Sequence, residues 1–304
     1  MTRGLNRLRA IAGAVRRSLG RPRLKARPSN PAKVLVLHEL LLGDTLMLAP
    51  LMAGLRDRYP RAEVFVTVRP AYAALFSGRP YGIHALPFSE RDPGALRALA
   101  PAAGCDIAFL PGENRFGLIA RSLGAKWLVA HAGGKPGWNE RMADERVPLP
   151  SAPAALADMF ALLAGPDPGS LRYRIADWPA PRCEAFSRPA SPYAVLHVGA
   201  GSPLRLWGAA NWREVAGALS AQGIDPVWTA GSEEVSLVRE IDPGGRYRSY
   251  AGYLTLTQLW HLLAGARCAV TLDTGIAHMA KLTRTPVVAL FGPGSSELFG
   301  KGRF

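Results

Sequence analysis

Three stretches of the sequence place glycine and polar residues directly after an apolar run, as a strand does when it ends in a loop that opens a helix. The most informative stretch is Leu272-Asp273-Thr274-Gly275-Ile276-Ala277-His278. The N–H groups and the dipole at such a helix start favour anions, including a diphosphate. His278 comes three residues after Gly275, so it lies on the first helical turn and can face the same ligand. A single helical histidine is usually structural, but this position favours a role in binding.

A second stretch, His38–Thr45, precedes an apolar helix and contains Asp44. Two interpretations of Asp44 remain open on the sequence alone. Its carboxylate can cap the helix, which is a common role for aspartate. It can also lie at the mouth of a cleft and accept a proton from a hydroxyl group of a substrate.

The third stretch is Gly199–Trp207, whose G-x-G lacks the third glycine of a dinucleotide-binding motif because residue 204 is leucine. An incomplete motif of this kind is weak evidence. Arg205 is either a solvated surface charge or a permanent cation with donors suited to phosphate oxygens. After the next predicted strand, Gly231–Glu234 adds carboxylates that can hold ribose hydroxyls or stabilise a helix start.

Strand and helix patterns alternate along the chain and must position these stretches. Two helix starts resemble capping boxes, at Asn211–Glu214 and at Thr255–Gln258. The alternation predicts parallel sheets that are covered by helices on both faces. Strands are predicted at residues 33–37, 63–68, 83–86, 105–110, 126–130, 194–198, 226–230, 268–272 and 287–291. Helices are predicted at residues 44–58, 71–76, 94–100, 115–123, 154–163, 211–219, 255–265 and 275–282.

A proline- and glycine-rich stretch at residues 165–192 interrupts this alternation. Because proline fixes φ and blocks helix continuation, we expect an interdomain linker there. The predicted organisation is a basic N-terminal extension (1–32), a first α/β domain (33–164), the linker and a second α/β domain (193–304). Ligands of such domains bind at the carboxyl ends of the strands, so the cleft between the domains is the expected site.

Composition is that of an ordinary folded protein, with 48% hydrophobic and 20% charged residues. The cysteines, Cys105, Cys183 and Cys268, form no C-x-x-C pair, which argues against a zinc site or a disulfide framework. Cys105 and Cys268 each begin an apolar run and are expected in the core. No apolar stretch approaches the ~20 residues that cross a bilayer, and no signal peptide is recognisable. The sequence therefore predicts a cytoplasmic protein.

The basic charge is concentrated at the N-terminus. Ten of the lysines and arginines behind the net charge of +14 fall within residues 1–33, which contain no acidic residue. Apolar residues recur there every three or four positions, at Leu5, Leu8, Ile11, Val15 and Leu19. A basic amphipathic helix of this kind can lie on an anionic membrane surface. The alternative is a solvated extension, and nucleic-acid binding is disfavoured because the body lacks a matching basic or aromatic motif.

Taken together, these motifs resemble glycosyltransferase family 9, the ADP-heptose:lipopolysaccharide heptosyltransferases. The resemblance covers residues 33–299 and is strongest in the second half. Arg205 departs from the family, which usually has lysine there, and this changes the geometry of the donors. The matching features are Gly43-Asp44 with Pro50, Arg205-Leu206-Trp207 with Trp212, Gly231–Glu234, Asp273–Ala280 and Pro286–Pro293.

The resemblance implies a GT-B fold, in which two Rossmann-like parallel-sheet domains face a cleft. It implies that the second domain binds the nucleotide-sugar donor, with the diphosphate at Thr274, Gly275, His278 and Arg205. Glu234 would hold the nucleotide portion, and Asp273 would position the turn. Asp44 would be the general base of an inverting direct displacement, without metal or cofactor.

The partners that the resemblance implies are ADP-heptose or a similar nucleotide sugar and a lipopolysaccharide core glycolipid acceptor. The basic extension suits an anionic inner-membrane surface, so we expect the protein at the cytoplasmic face of that membrane. We also expect a monomer.

Three other functions remain open. One is transfer from another nucleotide sugar. A second is nucleotide-sugar binding without catalysis, because family members usually continue beyond the position of Phe304 with helices that pack the domains together. The third is a nicotinamide-dependent oxidoreductase, against which the incomplete G-x-G-x-x-G motif counts.

Overall fold

The structure is a computed structural model that describes residues 12, 24–112, 116–132, 142–151, 153–165 and 175–300. Of the predicted basic extension, residues 1–11 and 13–23 lie outside the described residues, so its amphipathic helix stays a prediction. Part of the predicted linker, residues 166–174, also lies outside them.

A first parallel sheet has the strand order β3-β2-β1-β4-β5-β6, which is the order of the Rossmann fold. Its central strand, β1, pairs with β2 on one side and with β4 on the other, so that Val34 lies opposite Val64 and Ile107. The strands are β1 (Lys33–Val36), β2 (Glu63–Val68), β3 (His84–Pro87), β4 (Ile107–Leu110), β5 (Trp127–Ala132) and β6 (Glu145–Pro148).

A second parallel sheet has the order β11-β10-β7-β8-β9. Its central strand, β7, pairs with β8 and β10, and Val195 lies opposite Val227 and Ala269. The strands are β7 (Tyr193–His197), β8 (Asp225–Thr229), β9 (Arg248–Ser249), β10 (Cys268–Leu272) and β11 (Val287–Leu290). Two parallel sheets with intervening helices confirm the α/β class expected from the alternating pattern.

The helices connect successive strands, as parallel pairing requires. They are α1 (Leu42–Leu46), α2 (Ala49–Arg58), α3 (Ala95–Ala98), α4 (Gly117–Ser122), α5 (Leu156–Leu162), α6 (Ala209–Ala221), α7 (Val235–Ile241), α8 (Leu256–Ala264), α9 (Gly275–Leu282) and α10 (Ser296–Phe299). Short 3₁₀ turns, among them Pro70–Phe76, Pro203–Arg205 and Ser232–Glu234, complete the connections.

One buried apolar cluster is continuous between the two sheets. It includes Val34 and Val36 of β1, Val195 of β7, and Ile276 and Met279 of α9. Alternate residues of β1, such as Leu35, instead belong to a second cluster on the other face of the first sheet. The two sheets are therefore held together by shared core packing as well as by the chain connection.

Trp178, on the connection between the sheets, lies between side chains of both. Its ring is 1% exposed and stacks on Trp260 of α8 at 5.9 Å, while Phe76 packs on it at 5.0 Å. The indole N–H donates to the Leu75 carbonyl oxygen at 3.2 Å. This proline-rich segment is thus anchored to both halves of the molecule.

The helix predicted over residues 44–58 is wrong in one respect, because it is divided into α1 and α2. The division precedes Pro50, which lies in the first turn of α2. Proline has no N–H to donate to the preceding turn and its ring crowds the carbonyl there, so an uninterrupted helix is disfavoured. As a result, Asp44 belongs to a separate helix of five residues.

Of the two capping boxes predicted from the sequence, the structure contains one. The capping box at Thr255 is confirmed, with the Gln258 N–H 3.2 Å from Thr255 Oγ1 and the Thr255 N–H 3.0 Å from Gln258 Oε1. The capping box at Asn211 is wrong, because α6 begins two residues earlier, after Gly208, whose carbonyl oxygen accepts the Asn211 N–H.

The burial predicted for two cysteines is confirmed for one of them. Cys105 is fully buried, whereas Cys268 is only half-buried because it begins its strand. Cys105, Cys183 and Cys268 all lie within the described residues and are free thiols.

Candidate functional site

The residues singled out in the sequence follow β1, β7, β8 and β10 at their carboxyl ends. Parallel strands place these ends at one edge of each sheet, where ligands of α/β proteins bind. Asp44 lies in α1 after β1, and Asp273 begins the turn between β10 and α9. Arg205 and Glu234 lie on the 3₁₀ turns after β7 and β8.

The starts of α1 and α9 touch each other across the junction of the two sheets. A Cβ added to Gly43 would lie 3.0 Å from Cδ2 of His278 and 3.3 Å from Cα of Gly275. A Cβ added to Gly275 would lie 2.9 Å from the main-chain nitrogen of Gly43. Real Cβ atoms essentially never lie 2.9 Å from a backbone atom, so position 275 requires glycine. A Cβ at position 43 would need its neighbours in α9 to move by a few tenths of an ångström. The contact places the Asp44 helix directly beside the predicted anion-binding turn.

Asp44 is half-buried in the first turn of α1, which begins after Leu41, and no side-chain hydrogen bond caps this helix among the described residues. The capping role considered for Asp44 is therefore not what the structure shows. Burial raises the pKa of Asp44, the Arg69 guanidinium lowers it, and the Asp273 carboxylate raises it. A raised pKa makes this carboxylate a stronger base than an exposed aspartate.

Asp273 is 8% exposed, and burial raises its pKa while the charge of Arg205 lowers it. A Cβ on Gly294 would collide with its Oδ2, so the loop after β11 closes over this carboxylate. The two aspartates follow strands of different sheets, and the pKa of each is changed by a neighbouring arginine. The cleft therefore brings together two carboxylates, each accompanied by an arginine.

Arg205 is half-buried, and its Nη1 donates to the main-chain oxygen of Asp273 at 2.9 Å. This bond ties the loop after β7 to the turn after β10. A guanidinium has further N–H donors beyond this one, so Arg205 can hold the turn and still bind phosphate oxygens.

Glu234 lies between two glycine loops. The Gly231 N–H donates to Glu234 Oε2 at 3.1 Å, and a Cβ on Gly199 would collide with the same carboxylate. Its position beside the loops after β7 and β8 is what allows Glu234 to face a ligand at the edge of the second sheet.

Thr274 and His278 have structural contacts at the start of α9. Thr274 Oγ1 accepts the Ile276 N–H at 3.3 Å and so caps the helix. His278 is 4% exposed, and burial together with the nearby Lys281 lowers its pKa to about 4. His278 is therefore neutral at pH 7, and Arg205 is the permanent cation among the site residues predicted from the sequence.

Arg69, which follows β2, is a charged residue of this site that sequence reasoning missed. It donates from Nε and Nη2 to the Glu39 main-chain oxygen at 3.2 and 2.9 Å, in the loop that leads to Asp44. The available signal was its place at the carboxyl end of a strand that neighbours β1. His38, fully buried at the end of β1, has its pKa lowered to about 3 by burial and by Arg69, so it too is neutral.

Within the described residues, no cluster of three or more histidine, cysteine, aspartate or glutamate side chains could hold a metal ion. In the same part of the chain, no helix has the length and apolar character needed to cross a membrane.

Comparison with known proteins agrees with this geometry. Residues 154–301, just under half of the chain, match the sequence model of glycosyltransferase family 9 (heptosyltransferase). Lipopolysaccharide heptosyltransferase 1 of Salmonella typhimurium is 32% identical over 36% of this chain. That alignment spans only 35% of the relative's length. Lipopolysaccharide heptosyltransferase 3 of Escherichia coli is 24% identical over 82% of this chain and 80% of its own length.

A solved structure extends the likeness to the whole fold. The E. coli ADP-heptose lps heptosyltransferase II superposes with a TM-score of 0.71 at 25% identity, over 88% of this chain and 86% of its own. Residues 154–301 therefore belong to glycosyltransferase family 9, and the chain is a glycosyltransferase with the GT-B fold.

Proposed function

We propose that this glycosyltransferase transfers heptose from ADP-heptose to a lipopolysaccharide core acceptor, by direct displacement with inversion. The observation that carries the proposal is the approach of Asp44, from the first sheet, to the turn that follows β10 in the second. This turn has the helix start that favours a diphosphate, and Asp44 is the base beside it. The relatives named above supply the identity of the sugar and of the acceptor.

The donor would bind along the second sheet. Its diphosphate would meet the N–H groups at Thr274 and Gly275 and the guanidinium of Arg205, which the structure ties to the same turn. His278, neutral in its buried position, would contribute a ring nitrogen and no charge. Glu234 would hold hydroxyl groups of the nucleotide portion.

The acceptor hydroxyl would attack C1 of the heptose while Asp44 takes its proton. The bond from C1 to the diphosphate oxygen breaks, and ADP leaves with the bonding electron pair. Arg205 and the amides at the start of α9 would stabilise the negative charge that develops on ADP. Attack from the face opposite to the leaving group inverts the configuration at C1.

The acceptor glycolipid is anionic and resides in a membrane. We propose that the enzyme acts as a monomer at the cytoplasmic face of the inner membrane, and that the basic residues 1–33 bring it to that surface. The concentration of positive charge supports this membrane role, since residues 1–33 contain ten basic residues and no acidic residue.

Calorimetric titration of the purified chain with ADP-heptose, ADP, UDP-N-acetylglucosamine and NAD tests the donor site. We expect the ADP-sugar to bind selectively, and Arg205→Met to weaken this binding, by about tenfold or more, because it removes a charge-assisted bond. Arg267→Met is the matched control, since Arg267 is exposed and immediately precedes β10, at the end of the strand opposite to the site.

Each other outcome contradicts a specific part of the proposal. Preference for a UDP-sugar would keep the site and change the donor. Binding of ADP-heptose without turnover on any lipopolysaccharide acceptor would leave a nucleotide-sugar-binding protein. Selective binding of NAD would contradict the proposed donor class.

A further inference from the structure

Arg69 lies directly after β2 and braces the loop that leads from β1 to Asp44. Its Nε and Nη2 both donate to the main-chain oxygen of Glu39, at 3.2 and 2.9 Å. Glu39 lies five residues before Asp44, at the centre of that loop. Two N–H donors on one carbonyl oxygen restrain the position of that oxygen more than a single hydrogen bond does.

The same loop is held by neighbouring strands at two other points. Thr67 accepts the His38 N–H and donates to the His38 carbonyl oxygen, both at 2.7 Å. Ser89, after β3, donates to Glu39 Oε1 at 3.0 Å. The path of the chain between β1 and α1 is therefore set by Thr67 within β2 and by residues that follow β2 and β3, and Arg69 is the charged member of this set.

The charge of Arg69 is not neutralised by its hydrogen-bond partner, because Glu39 offers it a carbonyl oxygen. Among the described residues, no carboxylate lies within 4.0 Å of the Arg69 guanidinium. The charged groups that act on Asp44 are Arg69 from the first sheet and Asp273 from the second, while the nearby His278 is neutral. Their effects on the carboxylate have opposite signs.

We propose that Arg69 is a positioning residue, which holds the loop carrying Asp44 and supplies positive charge to this end of the cleft. The inference rests on the proposed function, in which Asp44 is the base. A base must be ionised to accept a proton, and both burial and Asp273 oppose its ionisation. Arg69 offsets them from the side of the cleft that belongs to the first sheet.

The direct test follows the titration of Asp44 in the protein without substrate. The carboxyl carbon signals of aspartate, labelled with ¹³C, are recorded as a function of pH, and Asp44→Asn assigns the signal. Removing the guanidinium with Arg69→Met is expected to raise the Asp44 pKa further, because the positive charge of Arg69 favours the ionised carboxylate. Arg69→Lys, which keeps the charge, is expected to return most of that change.

Arg97→Met is the matched control, because Arg97 is exposed on α3 and belongs to no site described above. An Asp44 titration that is the same in Arg69→Met as in the unsubstituted protein would overturn the inference. If Arg69→Met does not fold, Arg69→Gln keeps a donor for the Glu39 oxygen without the charge and carries the same test.

A second readout separates this inference from the proposed function. In transfer assays the acidic limb of the kcat–pH profile is expected to move to higher pH in Arg69→Met, by the same amount as the Asp44 titration. If the titration moves and no nucleotide sugar is turned over, the inference about Arg69 stands and the proposed function fails. If turnover is retained and neither the titration nor the limb moves, the inference about Arg69 fails and the proposed function stands.

Discussion

Substitution of Gly275 by alanine tests the contact on which the composite site depends. The added Cβ would lie 2.9 Å from the main-chain nitrogen of Gly43 and 3.0 Å from Cγ of Leu42. Ordinary carbon contacts are about 3.5–4.0 Å, so α1 and α9 would have to separate by roughly half an ångström or more. Overpacking of this kind costs about 1–3 kcal/mol.

Thermal unfolding measures the loss of stability. A cost of about 2 kcal/mol lowers the unfolding midpoint by about 4–8 °C for a cooperative unit of 150–250 residues. Gly217→Ala is the matched control, because Gly217 lies inside α6 and a Cβ there meets nothing within 4 Å. Alanine has the higher helix propensity, so this control is expected to gain up to about 1 kcal/mol.

Catalysis provides the second measurement on the same pair of variants. Separation of the helices moves Asp44 away from the donor turn, and a displacement of about 1 Å can reduce a rate by about 10²-fold. We therefore expect Gly275→Ala to lose kcat/KM for heptosyl transfer, while Gly217→Ala retains it. Unchanged stability together with unchanged kcat/KM in Gly275→Ala would refute the contact between the two helix starts.

Four further predictions follow from the same structure. Asp44→Asn is expected to reduce transfer by about 10²–10⁴-fold with ADP-heptose affinity retained, and near-normal turnover in a transfer assay would exclude it as the base. Because burial lowers the pKa values of His38, His197 and His278 to about 3, 4 and 4, the unfolded chain binds more protons below pH 6.5. Stability is therefore expected to fall by about 1 kcal/mol per histidine between pH 7 and 5.5, as checked by urea unfolding; a flat profile would contradict this. Trp178→Ala is expected to lower the free energy of unfolding, measured in urea, by about 3–5 kcal/mol. A decrease no larger than that of a substitution at an exposed residue would contradict the burial of Trp178 between the sheets. Deletion of residues 1–23 is expected to weaken salt-sensitive binding to anionic vesicles in a sedimentation assay without lowering the unfolding midpoint, and unchanged vesicle binding would remove the membrane role.

Much of the second half could be predicted from local sequence. The strand at 268–272 and the helix at 275–282 have the bounds expected, and the Thr255 box caps α8 as its spacing indicates. These features depend on side-chain periodicity and on bonds between residues two or three positions apart, so the sequence carries them directly. Strand β6, Glu145–Pro148, was missed because it is a short edge strand with charged residues and no apolar run.

For the candidate site, too, local features could be predicted from the sequence and long-range contacts could not. Local sequence is enough to predict that Asp44, Arg205, Glu234 and Asp273 follow strands, because strand-to-loop transitions are local features. That the charge of Asp273 acts on Asp44, and that His278 is buried and neutral, follows from the folded arrangement alone.

Arg69 could not be selected from the sequence, since its partner Glu39 is thirty residues away and its effect depends on how β2 lies beside β1. The contact of Gly43 with Gly275 joins residues from two different sheets. Such relations depend on how the two sheets pack, which is set by the shared apolar core and by Trp178, and no local pattern encodes them. Residue types and local order are properties of the sequence, whereas charge coupling and close backbone approach arise only when distant segments are brought together.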